Sequence, residues 1–154
     1  MPDFVDPPLS GRILALDVGK KRIGLAISDP LGISAQGLPT LHRTRIRDDL
    51  ETLHQLAREK EVALFLVGRP LHMSGDESRQ SVYTAEFAER LREKTGIPVT
   101  YWDERLTSLE AERVLRETRA SLERRKKAVD QLAAMLLLES YLDARQYSSG
   151  GTVG

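Results

Sequence analysis

The chain contains no cysteine, which excludes disulfides, thiolate metal sites and cysteine nucleophiles. Its three histidines, His42, His54 and His72, show no metal-ligand spacing, and His54 falls in an amphipathic stretch, so all three read as structural or surface groups. No apolar run approaches the roughly 20 residues of a membrane-spanning helix. The N-terminus M-P-D-F-V-D-P-P lacks both the basic start and the long apolar core of a signal peptide. A cytoplasmic protein with no membrane association is therefore expected. Neither sign of charge is in excess, because Lys plus Arg and Asp plus Glu both number 23. The molecule as a whole offers no basic field to a polyanion, and any nucleic-acid contact must rest on local positive charge. Gly19 and Lys20 lack the Walker A spacing, which excludes a P-loop.

What is present is a chain of 154 residues, 40% hydrophobic and 30% charged, the composition of a globular domain with a sizeable core. Residues 1–10, with three prolines, read as a flexible lead, residues 11–146 as a single domain, and residues 147–154, rich in Ser and Gly, as a disordered tail. The organising stretch is Gly11 to Pro30. Ile13 to Leu16 form an apolar run that ends on Asp17, a Gly19-Lys20-Lys21 corner follows, and Ile23 to Ile27 form a second run. This pattern predicts a buried hairpin in which Gly19 supplies the unusual backbone angles of a short connection.

Ser34 to Leu41 is expected to be a third strand, with Gly37 and Pro39 marking a bulged or edge position. Leu50, Leu53, Leu56 and Ala57 give Arg47 to Lys60 one apolar helical face, and Val62 to Val67 reads as a strand buried on both sides. Tyr83, Phe87, Ala88 and Leu91 predict a helix from Glu77 to Lys94, stopped by Gly96 and Pro98. Pro98 to Trp102 is a short strand. Thr107 and Glu110 form a capping box for a helix to about Glu117, and an apolar helix runs from about Lys127 to Ala144. Three antiparallel strands followed by helix-linked parallel ones predict an α/β fold, a mixed five-stranded sheet flanked by helices, for which a ribonuclease H-like layout fits the order.

Asp17 calls for an explanation, because Asp is depleted in strands and a charge beside a core strand is costly unless paired, hydrogen-bonded or metal-bound. The bland reading is that it opens the turn. Glu104 follows the last strand in D-E-R-L-T-S. Asp130 lies on a helical face whose next positions are Ala133, Ala134 and Leu137. These carboxylates can converge at the carboxyl ends of the parallel strands, where open α/β sheets place their sites. Oxygen-only ligands suit Mg²⁺ or Mn²⁺, and a pair of such ions can activate water and stabilise the leaving oxygen of a phosphodiester. Arg124, Arg125, Lys126 and Lys127 open the helix that carries Asp130, where positive charge opposes the helix dipole and an anionic partner relieves it. Glu117 and Glu123 are the alternative partners. Arg22, Arg69 and Arg105 stand near strand ends and are candidate phosphate contacts. Tyr101 and Trp102 read as core rather than as base-stacking residues.

The segments D-V-G-K-K-R-I-G-L-A-I-S-D, L-F-L-V-G-R-P-L-H-M-S-G, D-E-R-L-T-S and V-D-Q-L-A-A-M-L-L-L-E-S-Y-L, in this order between about Gly11 and Asp143, resemble the YqgF (RuvX) family. Those are ribonuclease H-like bacterial relatives of the resolvase RuvC. The resemblance implies a nuclease acting on the 5′ end of precursor 16S rRNA in ribosome biogenesis, with a divalent metal. Position by position, Asp17, Glu104 and Asp130 match the family's acidic residues, Gly19, Arg22 and Gly24 its hairpin, and Arg105 to Ser108 the segment after the glutamate. In such a sheet the strand before Glu104 is separated from the Asp17 strand by Val62 to Val67, so the two backbones stand about 10 Å apart. Two other functions fit the same residues: a DNA-junction resolvase, which has to be a dimer to cut two symmetric strands, and an adaptor that holds RNA or a transcription complex without cutting. An actin-type ATPase would need a second domain to close on the nucleotide.

Overall fold

The computed structural model describes residues 11–69, 76–103 and 131–145. The lead, the tail, the expected helix at 107–117 and the candidates Glu104, Arg105, Arg124, Arg125, Lys126, Lys127 and Asp130 lie outside those residues. The predicted elements form close to their predicted bounds: β1 (Arg12–Val18), β2 (Arg22–Ser28), β3 (Ala35–His42), α1 (Ile46–Glu59), β4 (Val62–Gly68), α2 (Asp76–Thr95) and β5 (Val99–Trp102). A further helix, α3, covers the described residues 131–145. The sheet order is β3-β2-β1-β4-β5, with β1 antiparallel to β2, β2 antiparallel to β3, and β4 parallel to both β1 and β5. This is the mixed sheet the order of elements predicts, and β4 does separate β1 from β5.

The central strand β1 is buried on both faces because its alternate residues feed two different cores. Leu14, Leu16 and Val18 pack with Leu50, Leu53 and Ala57 of α1 and with Phe87, Ala88 and Leu91 of α2. Ile13 and Ala15 face the other way and pack with Ala134, Leu137, Leu138 and Tyr141 of α3. The aromatic pair divides along the same alternation: Tyr101 lies against the first core and Trp102 against the second, both half-buried. Among the described residues, no helix is long and apolar enough to cross a membrane.

Two glycines are required by close approach. A Cβ on Gly19 would lie 2.7 Å from the Arg22 carbonyl oxygen, which accepts the Gly19 N–H at 2.9 Å. Gly19 is absent from the left-handed region, so steric closeness, rather than the unusual backbone angles expected, excludes a side chain there. At Gly37 a Cβ would strike the Gln131 side chain, whose Nε2 donates to the Leu38 carbonyl at 2.9 Å. That contact and Pro39 interrupt the edge strand β3, and the register shift opposite Ile23 to Leu25 interrupts its ladder with β2.

The segment after β3 is held by a buried guanidinium. Arg43 donates from Nε to Asp49 Oδ2 at 3.2 Å, with the two side chains 8% and 2% exposed. Its Nη1 donates to the Gly19 carbonyl at 3.0 Å and also bonds the Tyr83 hydroxyl. The guanidinium carbon stands 4.9 Å from the Phe87 ring centre. Asp49 Oδ1 accepts the Thr44 N–H at 3.1 Å, so this acid in the first turn of α1 also satisfies the chain entering the helix. One side chain thereby joins the β1–β2 corner, α1 and α2.

The β2–β3 connection is built on Asp29. Its Oδ1 accepts the N–H groups of Ile33 and Ser34, each at 2.7 Å, and its Oδ2 accepts that of Leu31 at 3.2 Å. The Gly32 N–H returns to the Asp29 carbonyl at 3.0 Å, closing a turn with Pro30 at its second position. The Ser34 N–H, acting against desolvation and joined by those of Ile33 and Leu31, holds the Asp29 carboxyl below its ordinary value of 3.8.

Two outcomes follow from these contacts. Asp49→Ala strands the Arg43 charge in the interior and is expected to cost about 3–5 kcal/mol in urea unfolding. Arg43→Met combined with Asp49→Leu removes both charges and is expected to cost less than that single change; an equal or larger loss contradicts the pairing. Asp29 has a depressed folded-state pKa, so its contribution is full above the unfolded value near 3.8 and is lost as pH falls through the lower folded value. Hydrogen-exchange protection at Leu31, Ile33 and Ser34 should fade in that acid window, and Asp29→Ala should remove it at neutral pH.

Candidate nucleic-acid cleavage site

β1, β4 and β5 are parallel, so their carboxyl ends share one edge of the sheet, and antiparallel β2 starts there. Asp17 is the next-to-last residue of β1 and is half-buried. Alternation places it on the α3 face, in line with Ile13 and Ala15. Its antiparallel partner across β2 is Gly24, and continuing the β1–β4 register one step past Leu16 and Val67 brings Gly68 beside it. Neither neighbouring strand therefore sets a side chain alongside this carboxylate.

Arg22 opens β2 opposite His42, and Arg69 directly follows β4 at the same edge. Arg69 is held on three sides: its N–H donates to the Trp102 carbonyl at 2.8 Å, its Nε donates to Ser81 Oγ at 2.6 Å, and its guanidinium carbon lies 5.1 Å from the Tyr101 ring centre. Burial raises the Tyr101 phenol above its ordinary value, against the opposing pull of Arg69, so the ring facing the guanidinium is the neutral phenol at pH 7. Asp103 follows β5 at this edge as well.

Three residues the sequence reading passed over complete the support. Gln80 Nε2 donates to the carbonyl of Val18, the residue after Asp17, at 3.0 Å and to Thr84 Oγ1 at 3.3 Å. Ser81 and Thr84 are buried, 0% and 1% exposed. The signal was their spacing: positions 81 and 84 continue the α2 stripe of Phe87, Ala88 and Leu91, and hydroxyls on a buried stripe indicate polar partners across it. The carbonyls on either side of the β1–β2 corner are thus both fixed, Val18 by Gln80 and Gly19 by Arg43.

α3 brings the second half of the chain to the same sheet. Gln131 bonds at Leu38, which pairs with Leu25, level with Leu16 one residue before Asp17. Farther along, Ser140 Oγ accepts the Trp102 indole N–H at 3.0 Å, and Tyr141 meets the Trp102 ring edge-on with centres 5.3 Å apart. The structure therefore gathers Asp17, Arg22 and Arg69 at one edge; the remaining sequence-predicted site residues lie outside the described ones. Among the described residues no group of three or more Asp, Glu or His comes together.

Comparison with known proteins bears on this arrangement. A protein of Koribacter versatilis named "Putative pre-16S rRNA nuclease" is 50% identical over 135 residues, covering 88% of each chain. One of the same name from Syntrophomonas wolfei is 46% identical over 143 residues, covering 93% of this chain and 97% of its own. Among solved structures, Thermus thermophilus RuvC in complex with a Holliday-junction substrate superposes with a TM-score of 0.54 at 16% identity, covering 88% of this chain and 96% of that one. Fowlpox virus resolvase in complex with Holliday-junction DNA gives a TM-score of 0.55 at 13% identity, covering 86% and 97%. At such identities these structures establish the fold, which is ribonuclease H-like. A family model described as "RuvX: Holliday junction resolvase" matches residues 11–144, and with relatives this similar along most of its length the chain belongs to the RuvX family.

Proposed function

We propose that this chain is a metal-dependent nuclease that processes the 5′ end of precursor 16S rRNA. The observation that carries the reading is the position of Asp17, a half-buried carboxylate at the carboxyl end of the central strand with glycine as its neighbour on both sides. The names of the Koribacter and Syntrophomonas relatives support the RNA substrate.

Asp17 is a hard oxygen donor and fits Mg²⁺ or Mn²⁺. In this reading Glu104 and Asp130 complete the ligand set for a pair of ions. Bound there, the ions would supply an activated water and a counter-charge for the leaving oxygen. The chain's own part is positioning. Gln80 and Arg43 fix the corner that follows Asp17, and a carboxylate that does not shift holds its ligand in one place. Arg69, held by Ser81 and Tyr101, presents a preoriented guanidinium to a phosphodiester oxygen, and Arg22 provides a second charge across the corner. Arg105 and Arg124 to Lys127 extend that contact along the RNA backbone.

A second reading, a DNA-junction resolvase, is favoured by the description of the family model and by the RuvC-like fold. Both readings use the same carboxylates, so substrate choice separates them. Wild type and Asp17→Asn are each given a precursor 16S rRNA fragment and a four-way DNA junction, with and without Mg²⁺ or Mn²⁺. Metal-dependent cutting of the RNA, reduced at least about 10³-fold in Asp17→Asn while the melting temperature holds, is the expected outcome. Junction cutting by a dimer establishes the resolvase instead. RNA binding with no cutting by wild type in the presence of metal removes the nuclease assignment in favour of an adaptor.

A further inference from the structure

The opposite end of the sheet carries a polar cavity, of about 210 Å³, between the start of β1, the β2–β3 connection and the end of α1. Arg12 and Lys60 line it, and both are half-buried. Among the described residues neither side chain has an ion pair or hydrogen bond. Among the described residues the one carboxylate at the cavity, Asp29, already accepts the N–H groups of Leu31, Ile33 and Ser34. Its oxygens are directed at its own turn rather than at either cation, and its single negative charge offsets only one of the two positive ones.

The other polar groups at the cavity are also donors. Ser28 is 1% exposed, and its Oγ accepts the Ile13 N–H at 2.8 Å, which leaves the hydroxyl proton to be donated. Among the described residues no acceptor takes that proton. Gln36 adds an amide, while Ile27 and Leu38 give the cavity an apolar floor. Two cations and a buried hydroxyl with an uncommitted proton call for an anion with several acceptor oxygens, and the size and the apolar floor suit a phosphate ester.

We propose that this cavity is a phosphate-binding site, separate from the Asp17 edge. Arg12 and Asp17 are five steps apart on β1, or roughly 17 Å at strand spacing, and alternation sets them on opposite faces of the sheet. A phosphate held at Arg12 is therefore a different group from one held at Asp17. The carbonyls at the end of α1 disfavour an anion nearby, so binding depends on both cations together. The ester has two sources, a phosphate of the RNA backbone and a free mononucleotide such as nucleolytic digestion releases. The RNA source rests on the nuclease reading; the anion site does not.

The test is a metal-free titration of the full chain, followed by ¹H–¹⁵N NMR, with inorganic phosphate, a nucleoside 5′-monophosphate and a short single-stranded RNA lacking terminal phosphates. Shifts are expected at Arg12, Ser28, Gln36 and Lys60, with affinity reduced at least about tenfold in Arg12→Gln and in Lys60→Gln and preserved in Lys60→Arg, which keeps the charge. Asp17→Asn should bind as wild type at this cavity even where it no longer cuts, so failure of the nuclease reading and failure of this one are distinguishable. Response to the RNA alone assigns the backbone as source, and response to the mononucleotide assigns the free nucleotide. Shifts confined to the Asp17 edge, no response to any of the three ligands, or unchanged affinity when Arg12→Gln and Lys60→Gln are combined overturn the proposal.

Discussion

A guanidinium cannot lose its charge inside a protein, so burying one obliges the surrounding structure to satisfy it. Arg43 meets that demand from three elements at once: the carboxylate of Asp49 on α1, the hydroxyl of Tyr83 on α2, and the backbone carbonyl of Gly19 in the β1–β2 corner. The ring of Phe87 covers a remaining face. None of these partners can move far without leaving a charge or a polar group unsatisfied in a region of low dielectric. Helix α1, helix α2 and the corner are consequently fixed relative to one another by a directional contact, where apolar packing alone would tolerate some sliding.

The consequence for the site lies in which backbone atoms are held. Asp17 is followed by Val18 and Gly19, and the carbonyls of both accept bonds from side chains on separate elements, Gln80 and Arg43. Gly19 also closes the corner onto Arg22 at a distance no side chain would permit. A carboxylate at the end of a strand would ordinarily share the mobility of the turn after it. Here the turn is tied from two sides, and Asp17 keeps the register that sets Gly24 across from it. The same logic applies to Arg69, whose cation is oriented by a hydroxyl and a neutral ring before any ligand arrives.

Much of the architecture was legible in the sequence because period and punctuation agreed. Apolar runs of strand length, helical stripes of Leu, and stop signals at Gly96 and Pro98 located each described element to within a few residues, and Gly37 with Pro39 marked the interrupted edge strand. Asp17 stood out because a carboxylate that ends a core run contradicts its surroundings. Arg43 and Asp49 did not, because they lie in H-R-T-R-I-R-D-D, where five charged residues within seven positions look alike until the fold selects which pair is buried. Gln80, Ser81 and Thr84 occupy a middle ground: their place on the α2 stripe was readable, their partners on β1 and just after β4 were not. The reason Gly19 is needed was likewise visible only in three dimensions, since steric closeness and a left-handed backbone leave the same residue in the sequence. Glu104 and Asp130 rest on sequence and family resemblance, because they lie outside the described residues.

The two ends of β1 differ in a way that follows from sheet direction. At the carboxyl end three parallel strands finish together, and the loops that leave β4 and β5 begin with Arg69 and Asp103 at the same edge as Asp17. At the amino end the antiparallel pair β2 and β3 turns back, and its connection must satisfy its own backbone polar groups. Asp29 performs that task with three N–H bonds, so the one carboxylate that the described residues bring to that cavity is directed at local structure. An acid whose oxygens are directed at backbone donors forms no direct ion pair with Arg12 or Lys60, and one negative charge does not balance two positive ones. The hairpin connection thus leaves Arg12 at one end of β1, while the buried strand ends close to Asp17 at the other. The rigid strand between them keeps the two about 17 Å apart and on opposite faces.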